Sequence, residues 1–105
     1  MIDMTNKDLN SLIKNNPTLL VYFYTPLCGT CQIASKMLRV VEHLTKLQIG
    51  MINANFAPDI ARHFKIESVP CLLFLENGEK VDEIYAFHSV PYLLEKMKVL
   101  ENQKP

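Results

Sequence analysis

Three cysteines carry most of the chemistry available to this 105-residue chain: Cys28, Cys31 and Cys71. Two of them stand three apart in Leu27-Cys28-Gly29-Thr30-Cys31, just after the apolar run Leu19 to Tyr24 gives way to Thr25-Pro26. A close cysteine pair can cycle between dithiol and disulfide, or it can supply part of a zinc site. Structural zinc takes four ligands. No second close pair is present and His43, His63 and His88 are scattered, so ligand count favours redox chemistry and no metal. Two incidental buried cysteines are the third reading.

The position of the pair sharpens the redox reading. If a strand ends near Tyr24 and a helix begins near Cys28, the Cys28 sulfur meets the unsatisfied N–H groups of the first helical turn. Those groups and the helix dipole favour a thiolate, and such sites lower a thiol pKa from about 8.5 toward ~3.5–7.5. Residues three apart share a helix face, so Cys31 can reach a sulfur bonded to Cys28. Cys28 is thus the expected nucleophile on a substrate disulfide. Cys31 is the expected resolving thiol, which attacks Cys28, frees the reduced substrate and leaves an intramolecular disulfide. Gly29 is expected to let the backbone turn and a partner approach closely.

The elements that must position this pair can be read from periodicity and punctuation. Thr5, with Asp8 three residues on, forms a capping-box pattern ahead of a helix whose Leu9, Leu12 and Ile13 share a face; Asn15-Asn16-Pro17 ends it. Thr18 to Thr25 is almost continuously apolar and rich in aromatic and β-branched residues, as expected of a central strand covered on both faces. Gln32 to Leu44 is predicted helical, with Ile33, Met37, Val40, Val41 and Leu44 as its apolar positions. Leu47 to Ile52 reads as a strand, Pro58 to Phe64 as a short helix, and Cys71 to Leu75 as a third buried strand. Asn77-Gly78 is a strong hairpin signal, with Lys80 to Phe87 as the returning strand. Ser89 and Pro91 open a last helix carrying Leu93, Leu94, Met97 and Leu100. The order α-β-α-β-α-β-β-α implies an α/β fold: a four-stranded mixed sheet between two helical layers.

Bulk properties set limits on the remaining possibilities. With 49% hydrophobic residues, the chain suits one globular domain spanning 1–105. Acidic and basic residues balance at 11 each, and no basic tract suggests a nucleic-acid or anionic-membrane partner. No apolar run approaches the ~20 residues that span a bilayer, and the N-terminus lacks a secretory pattern. A cytoplasmic location is expected. Three cysteines are too few and too odd in number for a disulfide framework.

The segments Leu19–Leu38 and Val69–Glu79, with the terminal helix, resemble the thioredoxin family across Leu9 to Leu100. The marks are the cysteine pair after a strand, then Val-Pro, an apolar strand and Asn-Gly some forty residues later. The resemblance implies a thioredoxin fold and a thiol–disulfide oxidoreductase. It needs no cofactor beyond the Cys28–Cys31 couple. It implies protein disulfides as substrates and a thiol reductant or a thioredoxin reductase-type donor as partner. It also implies a cis peptide before Pro70 and a substrate surface of Leu27, Gly29, Val69 and Pro70.

Four positions depart from that family's pattern. Tyr22 stands where a buried aspartate is usual, and a phenol with pKa near ~10 is a poor base. Leu27 replaces a tryptophan, Thr30 a proline, and Met51 the lysine that accompanies the aspartate. Losing both charges together is consistent, because one buried charge without its partner is costly. Cys71, directly after Pro70, is either an accessory thiol near the pair or a small buried hydrophobe, and the second is the commoner environment. Reduction of mixed disulfides with a low-molecular-weight thiol and a non-catalytic binding module are the remaining functional alternatives.

Overall fold

A computed structural model describes residues 1–102, apart from the side chains of Asn6, Lys7 and residues 100–102. The leading side of the chain, Ile2–Asp3, forms a short strand, β1, and the helix α1 follows over Asn6–Asn15. Thr5 caps α1 as expected: its hydroxyl accepts from the Asp8 N–H at 3.3 Å, and Asp8 accepts from the Thr5 N–H at 3.0 Å. Strand β2 runs over Thr18–Tyr24, helix α2 over Gly29–Thr45 and strand β3 over Ile49–Asn53. A 3-10 turn at Ala54–Phe56 leads to α3, Pro58–His63. Strands β4 (Cys71–Glu76) and β5 (Glu79–Ile84) form the hairpin, and α4 covers Val90–Asn102.

The sheet order is β1-β3-β2-β4-β5, with β1, β3 and β2 parallel and the last two strands antiparallel to their neighbours. The sheet has five strands rather than four. The extra strand, β1, is two residues long, too short to show a period of two in sequence. It exists because the open edge of β3 offers Gly50 and Met51 as partners for Ile2 and Asp3.

Alternation along the strands divides the core into two layers. Leu20, Tyr22, Met51, Leu72 and Phe74 face α2 and α4. Leu19, Val21, Phe23, Leu73 and Leu75 face α1 and α3. Strand β2 is therefore buried on both sides, which is why its sequence is continuously apolar.

Three expectations need correction. Helix α2 begins at Gly29, three residues before the predicted start, because the cysteine segment is itself its first turn. The face it buries is Cys31, Ala34, Leu38 and Val41; of the predicted apolar positions Val41 is buried and Met37 is half-buried against the core, whereas Ile33, Val40 and Leu44 are exposed. Both patterns have helical spacing, and the docking of Cys31 above Tyr22 fixes which side is covered. Strand β5 ends at Ile84, not Phe87, because the chain leaves the sheet edge to pack Phe87 edge-on against Tyr22 at 6.0 Å. The hairpin turn is as expected, with Asn77 at φ 51° and Gly78 at φ 82°, the pair of positive angles that a tight two-residue turn requires.

Candidate active site

Strand β2 delivers the chain to Cys28, which caps α2. The Cys28 sulfur accepts the Cys31 backbone N–H at 3.1 Å and lies 3.3 Å from the Thr30 hydroxyl. Cys28 and Cys31 are joined as a disulfide, with Cα atoms 5.1 Å apart. On reduction, the same two donors face a sulfur that can carry charge, at the positive end of a 17-residue helix. Cys28 is half-buried, while Cys31 is only 2% exposed, so Cys28 is the more accessible of the two.

The second wall of the site comes from the loop before β4. The Val69–Pro70 peptide is cis, and the Val69 carbonyl oxygen lies 4.0 Å from the Cys28 sulfur. Leu27 is 99% exposed beside the pair. Gly29 opens α2, and a methyl group there would meet nothing within 4 Å, so packing within the chain does not demand glycine. A groove of about 320 Å³ lies against Thr30, Ile33, Met37, Pro70, Phe87 and His88. A larger one, about 720 Å³, lies at the carboxyl ends of β1 to β3 between Asp3, Tyr24, Asn53 and Phe56, and it contains no thiol.

Beneath the pair, Tyr22 takes the place of an acid without acting as one. It is fully buried and donates to the Cys31 carbonyl at 2.8 Å, while Ser35 donates to its oxygen at 3.1 Å. Burial pushes the Tyr22 pKa up, outweighing the lowering effects of Ser35 and Arg39. Among the described residues no charged side chain is buried, so the core holds no carboxylate to take the Cys31 proton. Met51 packs in the same apolar layer. Ser35 was not evident as a site residue in the sequence; its place one turn after Cys31 is the signal that marks it.

Cys71 is brought near the pair in sequence register but not in space on the same face. It pairs with Phe23 and packs in the α1–α3 layer, whereas Cys31 and Tyr22 lie in the other. Its thiol is fully buried, and burial first, then the charge of Glu83, pushes its pKa up to about 12. That environment disfavours thiolate and reactivity. His88 lies on the groove with φ 55° and its ring edge-on to Tyr92 at 4.7 Å. Among the described residues, no three His, Cys, Asp or Glu side chains converge as a metal site.

A half-exposed helix-capping sulfur, a buried partner three residues on and an adjoining cis-proline loop define a thiol–disulfide oxidoreductase. The chain belongs to the thioredoxin family: the Thioredoxin family model matches residues 1–98. It is 52% identical over 80 residues to the thioredoxin-like protein YusE of Bacillus subtilis (strain 168), covering 75% of this chain and 76% of that one. It is 33% identical over 75 residues to a thioredoxin of Pyropia yezoensis, covering 70% of each. Among solved structures, a mutant thioredoxin from Halobacterium salinarum NRC-1 superposes with a TM-score of 0.85 at 20% identity, over 99% of this chain and 93% of that one. Chloroplastic thioredoxin z gives 0.83 at 18% identity, over 97% and 95%. At these identities the structural likeness speaks to the fold.

Proposed function

We infer that this chain acts as a single-domain, cytosolic protein disulfide reductase. The observation that carries this reading is the cap position of Cys28, whose sulfur receives the Cys31 N–H while Cys31 lies buried behind it. Cys28 thiolate attacks one sulfur of a substrate disulfide. A Cys28–substrate bond forms, and the other substrate sulfur leaves as a thiolate that takes a proton from water. Cys31 then attacks the Cys28 sulfur. The second substrate thiolate leaves, and the Cys31 proton passes to it or to water, since no carboxylate is buried among the described residues. Substrate is reduced by two electrons and the Cys28–Cys31 disulfide is restored. A thiol reductant or a thioredoxin reductase-type donor returns the couple to the dithiol.

Leu27, Gly29, Val69 and Pro70 form the surface for the substrate in this reading. Among the described residues no helix is long and apolar enough to cross a membrane, which accords with work in an aqueous compartment. Insulin reduction with dithiothreitol, comparing wild type with Cys28→Ser, tests the proposal. Wild type should accelerate precipitation of the reduced chains; equal rates would remove the reductase reading. Trapping on Cys31→Ser then identifies whether the partner held on Cys28 is a protein or a low-molecular-weight thiol.

A further inference from the structure

Two polar side chains of β5 and the residue just after it, away from the cysteine pair, converge on the segment that leads into Val69–Pro70. Lys80 donates from Nζ to the Phe64 carbonyl at 2.9 Å and to Glu83 Oε2 at 3.2 Å. Tyr85 donates to Glu83 Oε2 at 3.1 Å and accepts the Glu67 backbone N–H at 3.1 Å. Both ends of the segment from Phe64 to Glu67 are therefore tied to β5 and the residue that follows it. The segment includes Lys65 at φ 57°, a left-handed position that marks a sharp turn.

The convergence depends on a β-bulge. Side chains alternate along a regular strand, so Lys80 and Glu83, three apart, would point to opposite faces. The register shifts between Phe74 and Leu75: Leu73 faces Glu83, yet Leu75 faces Lys80. One extra residue in β5 restores parity and turns Lys80 to the same face as Glu83. Tyr85 follows on that face, opposite Cys71 in the continued register of Leu72 with Ile84. It packs on the layer that contains Cys71.

We propose that Lys80, Glu83 and Tyr85 form a polar strap that positions the Val69–Pro70 turn for a protein substrate. These are positioning residues, acting through the loop rather than on the reacting sulfurs. The proposal rests on the reductase reading, in which the Val69 backbone meets an extended substrate segment. A small disulfide needs only Cys28 and is far less sensitive to where that backbone lies.

The test compares wild type, Tyr85→Phe and Glu83→Gln on insulin and on a small aromatic disulfide. Tyr85→Phe keeps the ring and removes the bonds to Glu67 and Glu83. The ratio of kcat/KM for insulin to that for the small disulfide should fall about fivefold, through KM, as expected for loss of one net hydrogen bond. Glu83→Gln, which keeps an acceptor oxygen, should fall less. The Glu67 amide should exchange its hydrogen faster in Tyr85→Phe. An unchanged ratio, or an equal loss on both substrates, overturns the positioning role.

If wild type reacts with the small disulfide but not with insulin, the reductase reading fails by itself, and hydrogen exchange at the Glu67 amide decides the strap.

Discussion

The Tyr22 hydroxyl donates a hydrogen bond of 2.8 Å to the carbonyl of Cys31 and receives one of 3.1 Å from Ser35. A central strand thereby holds the first turn of the helix that carries both reactive sulfurs. The phenol is occupied as a donor, and burial keeps it protonated above its ordinary range, so it orders Cys31 without accepting its proton.

Replacing Tyr22 with phenylalanine keeps the ring and removes both bonds. Urea unfolding of the oxidised protein should show a loss of about 1–3 kcal/mol, the worth of two buried hydrogen bonds. Release of substrate from the Cys28 mixed disulfide should slow, while initial attack by Cys28, measured in a Cys31→Ser background, should stay near wild type. Equal slowing of both steps would show a general loss of structure instead.

Thr30 and the Cys31 N–H are the two donors to the Cys28 sulfur. Hydrogen bonds to a charged form stabilise it. Thr30→Val should therefore raise the Cys28 pKa in the reduced protein by roughly half to one unit, since one charge-assisted bond is lost. Thiolate absorbance against pH, with Cys31→Ser as background, measures the shift. A downward shift or none would mean that the backbone N–H and the helix end account for the effect.

Burial pushes the Cys71 thiol up to about 12 in the folded chain, against about 8.5 for a free thiol. Its raised folded pKa favours the protonated form in the fold. That contribution is complete below the unfolded value and is lost as pH rises from about 8.5 toward 12. The unfolded state binds fewer protons in this window, so stability falls with pH by up to about 1.4 kcal/mol per unit. Denaturant unfolding of the oxidised protein between about pH 8 and 9.5, where unfolded tyrosines are still mostly protonated, should show a falling stability that Cys71→Ala reduces; the remaining slope belongs to Tyr22, Tyr24 and Tyr85, whose pKa values burial also raises. Equal slopes would remove Cys71 as the cause.

Gly78 holds φ 82° in the β4–β5 turn, and a methyl group there would come within 2.9 Å of Ile13 Cγ2. Gly78→Ala should cost about 1–2 kcal/mol in unfolding free energy from the left-handed backbone alone. A neutral result would require the turn to have changed type, which amide chemical shifts at Asn77 and Gly78 would reveal.

Much of this protein is written in local pattern. The Thr5–Asp8 box, the continuous apolar run of β2, the Asn77-Gly78 turn and the Cys28–Cys31 spacing each depend on residues close in the chain. Element order and the redox pair are legible for that reason. Helix α2 shows where local reading stops: Cys31-Ala34-Leu38-Val41 and the predicted Ile33, Met37, Val40, Val41 and Leu44 both have helical period, and the sheet beneath buries the first set, sharing Val41 and leaving Ile33, Val40 and Leu44 exposed.

The sequence by itself determined the fold class, the order of its main elements and the thiol chemistry, because these follow from spacing within a turn or a strand. Only tertiary structure decided that Ile2–Asp3 joins the sheet, that Tyr22 holds Cys31, that Cys71 lies on the opposite face, and that a bulge turns Lys80 toward Glu83. Each of these depends on register between segments far apart in the chain. A shift of one residue reverses the face on which every following side chain lies, and no local pattern records it.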